Sequence, residues 1–173
     1  MKGKLVWLLL PCLMLIALVM PSCGGNTALE VAKKWDAAME DALTNGNVDA
    51  LDEVEDPDVV LHEMGVYPDV VGLEMHKGMV AFLHEGYVNY QRETMEITGS
   101  GDIAAIRYTE RWTFSKEMPG FPPPTGKEIF YDVAIFLHIK DGKVVEVFHL
   151  WDSMSVNEGL GVVPEIPLPG LEH

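Results

Sequence analysis

The sequence predicts an α+β single domain in which a strongly curved antiparallel sheet packs on three N-terminal helices. Three observations carry this expectation. Apolar residues recur at helical spacing early in the chain, in Ala28, Val31, Ala32, Trp35, Met39 and Ala42. From Ile103 onward the pattern changes to strict alternation. Gly126 to Asp152 then forms two long β-runs joined by Asp141-Gly142, and Asp-Gly between apolar runs is a strong hairpin signal. Helices followed by consecutive antiparallel strands make a sheet that curls around the helices, and the space left unfilled becomes a pocket.

The chain divides into 1–22, a signal peptide of lipoprotein type; 23–27, a linker; 28–164, the folded domain; and 165–173, an extended tail rich in proline. Lys2 and Lys4 precede an apolar run, Leu5 to Met20, broken only by Pro11. Ser22-Cys23 follows and resembles the lipobox of bacterial lipoproteins, in which the cysteine is lipidated. An uncleaved transmembrane anchor is the rival reading, because the run nearly reaches spanning length. Both readings place the domain in the cell envelope, facing the periplasm or exterior, on a membrane tether. Cys12 and Cys23 are the two cysteines and both lie in this region, so the folded domain has neither a disulfide nor a thiolate catalyst.

The chain has 12 Lys and Arg against 27 Asp and Glu, a formal net charge of −15; setting aside Lys2 and Lys4 leaves 10 against 27, or −17. Such a balance argues against nucleic acid and anionic lipid surfaces as partners.

Taken in order, Thr27 caps the first helix, with Glu30 three residues on as in a capping box. Asn45-Gly46-Asn47 ends it. A short second helix carries Val48, Leu51 and Val54 until Asp56-Pro57-Asp58. Val59 to Met64 reads as a strand and Gly72 to Tyr90 as a third helix, weakened by Gly78 and Gly86. Glu93 to Thr98 is a short strand. In the run from Ile103 to Ser115, one face holds Ala104, Ile106, Tyr108, Glu110, Trp112 and Phe114. Met118 to Gly126, with four prolines and two glycines, is a loop before the long hairpin. Ser153 to Gly161 adds a last helical turn.

This order resembles the cone of the nuclear-transport-factor-2-like superfamily, and within it the SnoaL-like polyketide cyclases. The residues that carry the resemblance are Gly101-Asp102-Ile103 through Thr109, Pro124-Thr125-Gly126-Lys127, Asp141-Gly142-Lys143-Val144, Trp151-Asp152 and Gly159-Leu160-Gly161. The resemblance implies a cone-shaped sheet and, in enzymes of the family, a pocket carboxylate acting as acid and base in an aldol ring closure. It places that carboxylate at Asp152 and a companion histidine at His138. The family's terminal glutamine is missing before Leu160. Dimerisation through the outer face of the sheet is common in the family, and the apolar face Ile129 to Ile139 is the expected contact of a homodimer.

The residues able to do chemistry are few. Phe130, Asp132, Ala134, Phe136 and His138 share one face by period two; a carboxylate, a small residue and an imidazole together suggest a pocket wall. Solvated or ion-paired rim positions are the alternative for Asp132 and His138. Asp152 has either an acid/base role or the common role of helix cap. One of His149 and Asp152 faces the pocket, and parity favours Asp152. If Val60, His62 and Met64 face inward, His62 reaches the pocket; a hydrogen-bonded core histidine is the alternative. Tyr108, Trp112 and Phe114 share a face and either line the cavity or form core, and Tyr67 and Tyr90 are possible hydroxyl donors. Burial would raise Asp152 and lower the histidines, whereas a close acid–base pair would reverse both. No HExxH, phosphate loop or nucleophile signature occurs, and no metal or cofactor is expected. Two functions remain open: acid/base catalysis of aldol cyclisation or isomerisation on a small hydrophobic carbonyl compound, and a non-catalytic ligand- or partner-binding envelope lipoprotein.

Overall fold

A computed structural model describes residues 27–63 and 68–163. The lipobox cysteine Cys23, and with it the lipoprotein expectation, lies outside the described residues, as do Met64 and Tyr67. Among the described residues no helix is long and apolar enough to cross a membrane.

Helix α1 spans Ala28–Asn45, followed by a 3-10 turn, Val48–Glu53. Strands β1 (Glu55–Glu63) and β2 (Val70–Val71) precede helix α2 (Leu73–Gly86). Strands β3 (Val88–Ser100), β4 (Ile103–Thr113), β5 (Glu128–Lys140) and β6 (Lys143–Trp151) follow, and helix α3 (Ser153–Leu160) closes the domain. The Thr27 hydroxyl accepts the Glu30 amide at 3.3 Å, so the predicted cap starts α1. Gly46, at φ 75°, ends it in the left-handed conformation.

The six strands form one curved, unclosed sheet in the order β2-β1-β6-β5-β4-β3. Its pairs are antiparallel except β1 with β6, which run parallel. The β5–β6 hairpin turns at Asp141 and Gly142, with φ 52° and 80°, the positive pair that a tight two-residue turn requires. Gly99 lets the start of α1 sit on β3: a Cβ there would lie 2.6 Å from the Leu29 amide nitrogen.

Two boundaries differ from the sequence expectation. The third helix stops at Gly86, and β3 begins at Val88, so Tyr87 and Tyr90 belong to extended chain. β1 begins at Glu55 and carries Pro57 within it, where the pairing with β6 is irregular and needs no amide donor.

The larger correction concerns the two faces of the sheet. On β5, Ile129, Tyr131, Val133, Ile135, Leu137 and Ile139 are buried, while Phe130, Asp132 and Phe136 are exposed and His138 half-exposed. The apolar face is therefore the core wall and not a free surface for a dimer. The physical reason is burial. A row of large apolar side chains gains about 25 cal/mol for each Å² removed from water, and a face carrying Glu128, Asp132, His138 and Lys140 gains nothing comparable. β4 follows the same rule, with Ala104, Ile106, Tyr108, Glu110 and Trp112 inward.

Candidate functional site

The concavity between helices and sheet encloses a cavity of about 380 Å³. Its wall is mostly apolar and aromatic, and α3 and the Pro119–Phe121 turn also border it. Into this wall project Glu63, His76, Glu110 and His149. A more open groove of about 490 Å³ runs along β3 past Glu40, Arg92 and Arg111. It is a charged surface feature without an apolar enclosure, so the concavity is the better small-molecule site.

The parallel pairing of β1 with β6 sets Glu63 directly beside His149. His149 Nδ1 lies 3.0 Å from both Glu63 oxygens, and the Trp151 indole N–H donates to Oε2 at 3.3 Å. Trp151 follows His149 by two residues and so shares its face. Glu63 is 8% exposed. Burial acts to raise its carboxyl, but the bond from His149, the charge of that ring, the Trp151 N–H and the charge of His76 together hold it below the ordinary value. An ionised carboxylate only accepts, so Nδ1 carries the hydrogen and, in the neutral ring, Nε2 carries the lone pair. That Nε2 is buried and has no hydrogen-bond partner.

A second carboxylate sits deeper. Glu110 on β4 is opposite Tyr131 on β5. It accepts the Tyr131 hydroxyl at 2.5 Å and the Tyr90 hydroxyl at 2.6 Å. Burial, first of all, keeps both phenols protonated well above their ordinary range, with the Glu110 charge adding to it. They therefore serve as fixed donors. Two residues along β4, Trp112 stacks on Tyr87 at 4.1 Å between ring centroids, and its indole N–H is buried without a partner. Two residues of the lining, His149 and Trp112, thus each carry a buried ring nitrogen without a hydrogen-bond partner.

The residues expected from sequence divide sharply. Tyr108 and Trp112 line the cavity. Phe114 is buried beside Trp112 and Phe121, behind the wall. Tyr90 is a hydroxyl donor, to Glu110. Asp152 is outside: exposed, it caps α3 by accepting the amides of Met154 at 3.1 Å and Ser155 at 3.2 Å, with the Ser155 hydroxyl at 2.5 Å. The Ser155 hydroxyl leads in lowering its carboxyl; slight burial opposes and the two amides assist. The expected upward shift is thus reversed, because the group is hydrogen-bonded in its charged form.

His62, Asp132, Phe136 and His138 lie on the outer face. His62 and His138 share Glu146, at 2.9 and 2.7 Å, and His62 also meets Asp69 at 3.0 Å. The Glu146 bond is the largest influence on His62 and raises it, against burial and with help from Asp69, where simple burial would have lowered it. Asp132 faces Arg107 at 3.7 Å across the exposed strands. Of the pair His149 and Asp152, it is His149 that faces inward. Among the described residues no group of three or more His, Cys, Asp or Glu is placed to hold a metal ion.

The sequence reading missed Glu63, Glu110, His76 and Tyr131. For Glu110 a signal existed: it is the only acid in an otherwise apolar and aromatic row of alternate residues on β4. Glu63 became legible only through its parallel partner strand.

The comparisons agree with this architecture. A protein from Jannaschia sp. CCS1 assigned to the SnoaL-like polyketide cyclases superposes with a TM-score of 0.66 at 19% identity, over 78% of this chain and 93% of that one. IdmH from Streptomyces antibioticus gives 0.62 at 24%, over 76% and 99%. An LEH-like epoxide hydrolase from M. tuberculosis gives 0.55 at 16%, over 78% and 90%. At these identities the likeness shows the fold. No curated protein matches the chain significantly. The sequence profile of one family does, over residues 33–160, which takes in the cavity and every strand of the sheet: the chain belongs to the SnoaL-like polyketide cyclase family.

Proposed function

We propose that the cavity binds a small hydrophobic carbonyl compound and moves its protons with the protein's own side chains, His149 acting as base and Glu63 as its orienting partner. The observation that carries this reading is the buried, unpartnered Nε2 of His149 beside a Nδ1 held by a carboxylate. In the scheme, neutral Nε2 takes a proton from the carbon next to the carbonyl. The C–H electron pair becomes the C=C of an enolate, and Glu63 stabilises the imidazolium through Nδ1–H. Trp112 N–H is the donor available to the enolate oxygen. In an aldol closure the enolate carbon then attacks a second carbonyl of the same molecule, and the new alkoxide recovers the proton from His149. Substrate and product are isomers, so the atoms balance.

One observation favours the second reading, a binding protein without turnover. The carboxylate at the position that the family resemblance marks, Asp152, is committed to a helix cap. The two readings separate in one experiment. 2-Tetralone is a compact apolar ketone with acidic α-hydrogens; its deuterium uptake in heavy water is followed by mass spectrometry. Acid/base catalysis predicts protein-dependent exchange that falls about 100-fold or more in His149→Gln, within the usual range for removing a general base. Saturable binding of the ketone with no accelerated exchange refutes the catalytic reading and leaves the binding one.

A further inference from the structure

His76 is the cavity histidine that this scheme leaves unused. It stands on α2, 1% exposed, at the cavity wall. Its Nδ1 lies 2.9 Å from Glu55 Oε2, and the Trp35 indole N–H donates to Glu55 Oε1 at 2.7 Å. These residues repeat the arrangement around His149. In each case a glutamate buried on the inner side of β1 accepts an indole N–H and holds an imidazole at Nδ1. In each case the imidazole borders the same cavity. His149 reaches it from the sheet and His76 from the helix layer.

A purely structural tether between α1, α2 and β1 explains the Nδ1 bond. It explains less well why the tether is polar. Replacing a buried ion pair by apolar residues of similar volume is often neutral or stabilising. An imidazole at the cavity wall, held from behind by a buried carboxylate that also takes an indole N–H, is better accounted for by what the ring does there.

We propose that His76 is a second catalytic histidine, the proton donor that faces the substrate from the helix layer while His149 faces it as base. The inference rests on the acid/base reading above. As His149 Nε2 removes the α-proton, the carbonyl π pair moves to oxygen, and the imidazolium of His76 gives its Nε2 proton to that oxygen. One proton leaves the substrate and one enters, the product is the neutral enol, and nothing is oxidised or reduced. When the enol carbon reacts in turn, its oxygen returns the proton to His76 and the product takes the other from His149, so both rings are restored and the protons balance. The Glu55 carboxylate meets the His76 ring at Nδ1, and Glu63 lines the same cavity. Lys77, the next residue, turns away to Asp49 at 2.6 Å and Asp52 at 2.9 Å.

The test uses 2-naphthol, a stable enol of the size of 2-tetralone, and the full chain labelled with nitrogen-15 at histidine. The proposal expects the Nε2 signals of both His76 and His149 to move on titration. It also expects 2-tetralone exchange to depend on pH as a bell, with His76→Gln losing the alkaline limb and at least tenfold in maximal rate. If the His149 signal moves and the His76 signal does not, the donor role is overturned while the base role stands. If neither moves, both fall. Should His76→Gln fold and keep both limbs at a rate within twofold of wild type, His76 is a tether only. Should it not fold, the spectrum of the wild-type protein decides.

Discussion

Replacing Asp152 tests the structural placement most directly, because the family resemblance and the coordinates assign it opposite roles. Its carboxylate closes the N-terminus of α3 by accepting two backbone amides and one hydroxyl. Asp152→Ala leaves those donors to water, and loss of a good cap costs about 1 kcal/mol, reaching about 2 in demanding cases. For a domain of this size each kcal/mol moves the melting temperature by about 3–4 °C. Asp152→Ala is therefore expected to lower Tm by about 3–8 °C. Asn caps nearly as well as Asp, so Asp152→Asn should stay within about 2 °C at acid pH, where the charge is lost. The sign at neutral pH follows from the lowered carboxyl. Its extra stability is present above the unfolded value and disappears as pH falls through the folded one, so the gap between wild type and Asn is widest near neutrality. The group is exposed, and solvent screening keeps that gap small.

The assay pairs thermal unfolding with 2-tetralone exchange. Both variants should retain exchange within about threefold, since the proposed chemistry lies with His149 and Glu63. An Asp152→Asn protein that melts like wild type yet loses exchange 100-fold would refute this placement and restore the carboxylate to the reaction.

Three further outcomes follow. Tyr131→Phe removes one of the two hydroxyls on the buried Glu110 carboxylate and should destabilise the fold by about 1–3 kcal/mol; denaturant titration with an unchanged midpoint would contradict that network. Because the Glu146 bond raises His62, its contribution to stability is complete below about pH 6.5 and declines as pH rises through the raised value. Glu146→Gln should flatten that dependence, as read by chemical denaturation between pH 5 and 9. Cys23 should carry lipid in protein extracted from bacterial membranes, and mass spectrometry finding Met1 intact would exclude the lipoprotein reading.

Much of the fold was legible because it depends on local pattern. The α1 spacing, the Thr27 cap, the Asp141-Gly142 turn and the β4 alternation are each set by near neighbours in sequence. The orientation of each face required a judgement of which side outweighs the other, and weighing chemical interest above apolar area inverts it. On β5 the side with Asp132 and His138 attracts attention, yet the opposite side carries the burial. The end of α2 at Gly86 was obscured because Tyr87 and Tyr90 continue a helical apolar spacing; they pack instead from extended chain against Trp112 and Glu110. His149 and Glu63 are far apart in the chain, and only the parallel pairing of β1 with β6 brings them together. Period-two reasoning within one strand does not reach such a contact.

The distribution of buried acids gives the strongest reason to regard the concavity as more than a packing defect. Glu55, Glu63 and Glu110 are each nearly inaccessible to solvent, as is Asp36, which pairs with Arg92 and Thr94; the other acids among the described residues are not buried. A buried ion carries a desolvation cost of several kcal/mol unless hydrogen bonds offset it. Each of the three glutamates has two donors, and all six come from Trp, His or Tyr side chains: Trp35 and His76, His149 and Trp151, Tyr90 and Tyr131. Such pairings satisfy the acids without filling the space before them. A core built for stability alone would close that space with aliphatic side chains at native packing density. This one keeps a cavity of about 380 Å³, lined by two glutamate-held imidazoles and by Trp112, whose buried indole N–H has no partner. Polar groups fixed in position by buried partners and fronting an apolar void have the preorganisation that proton transfer to a small ligand needs.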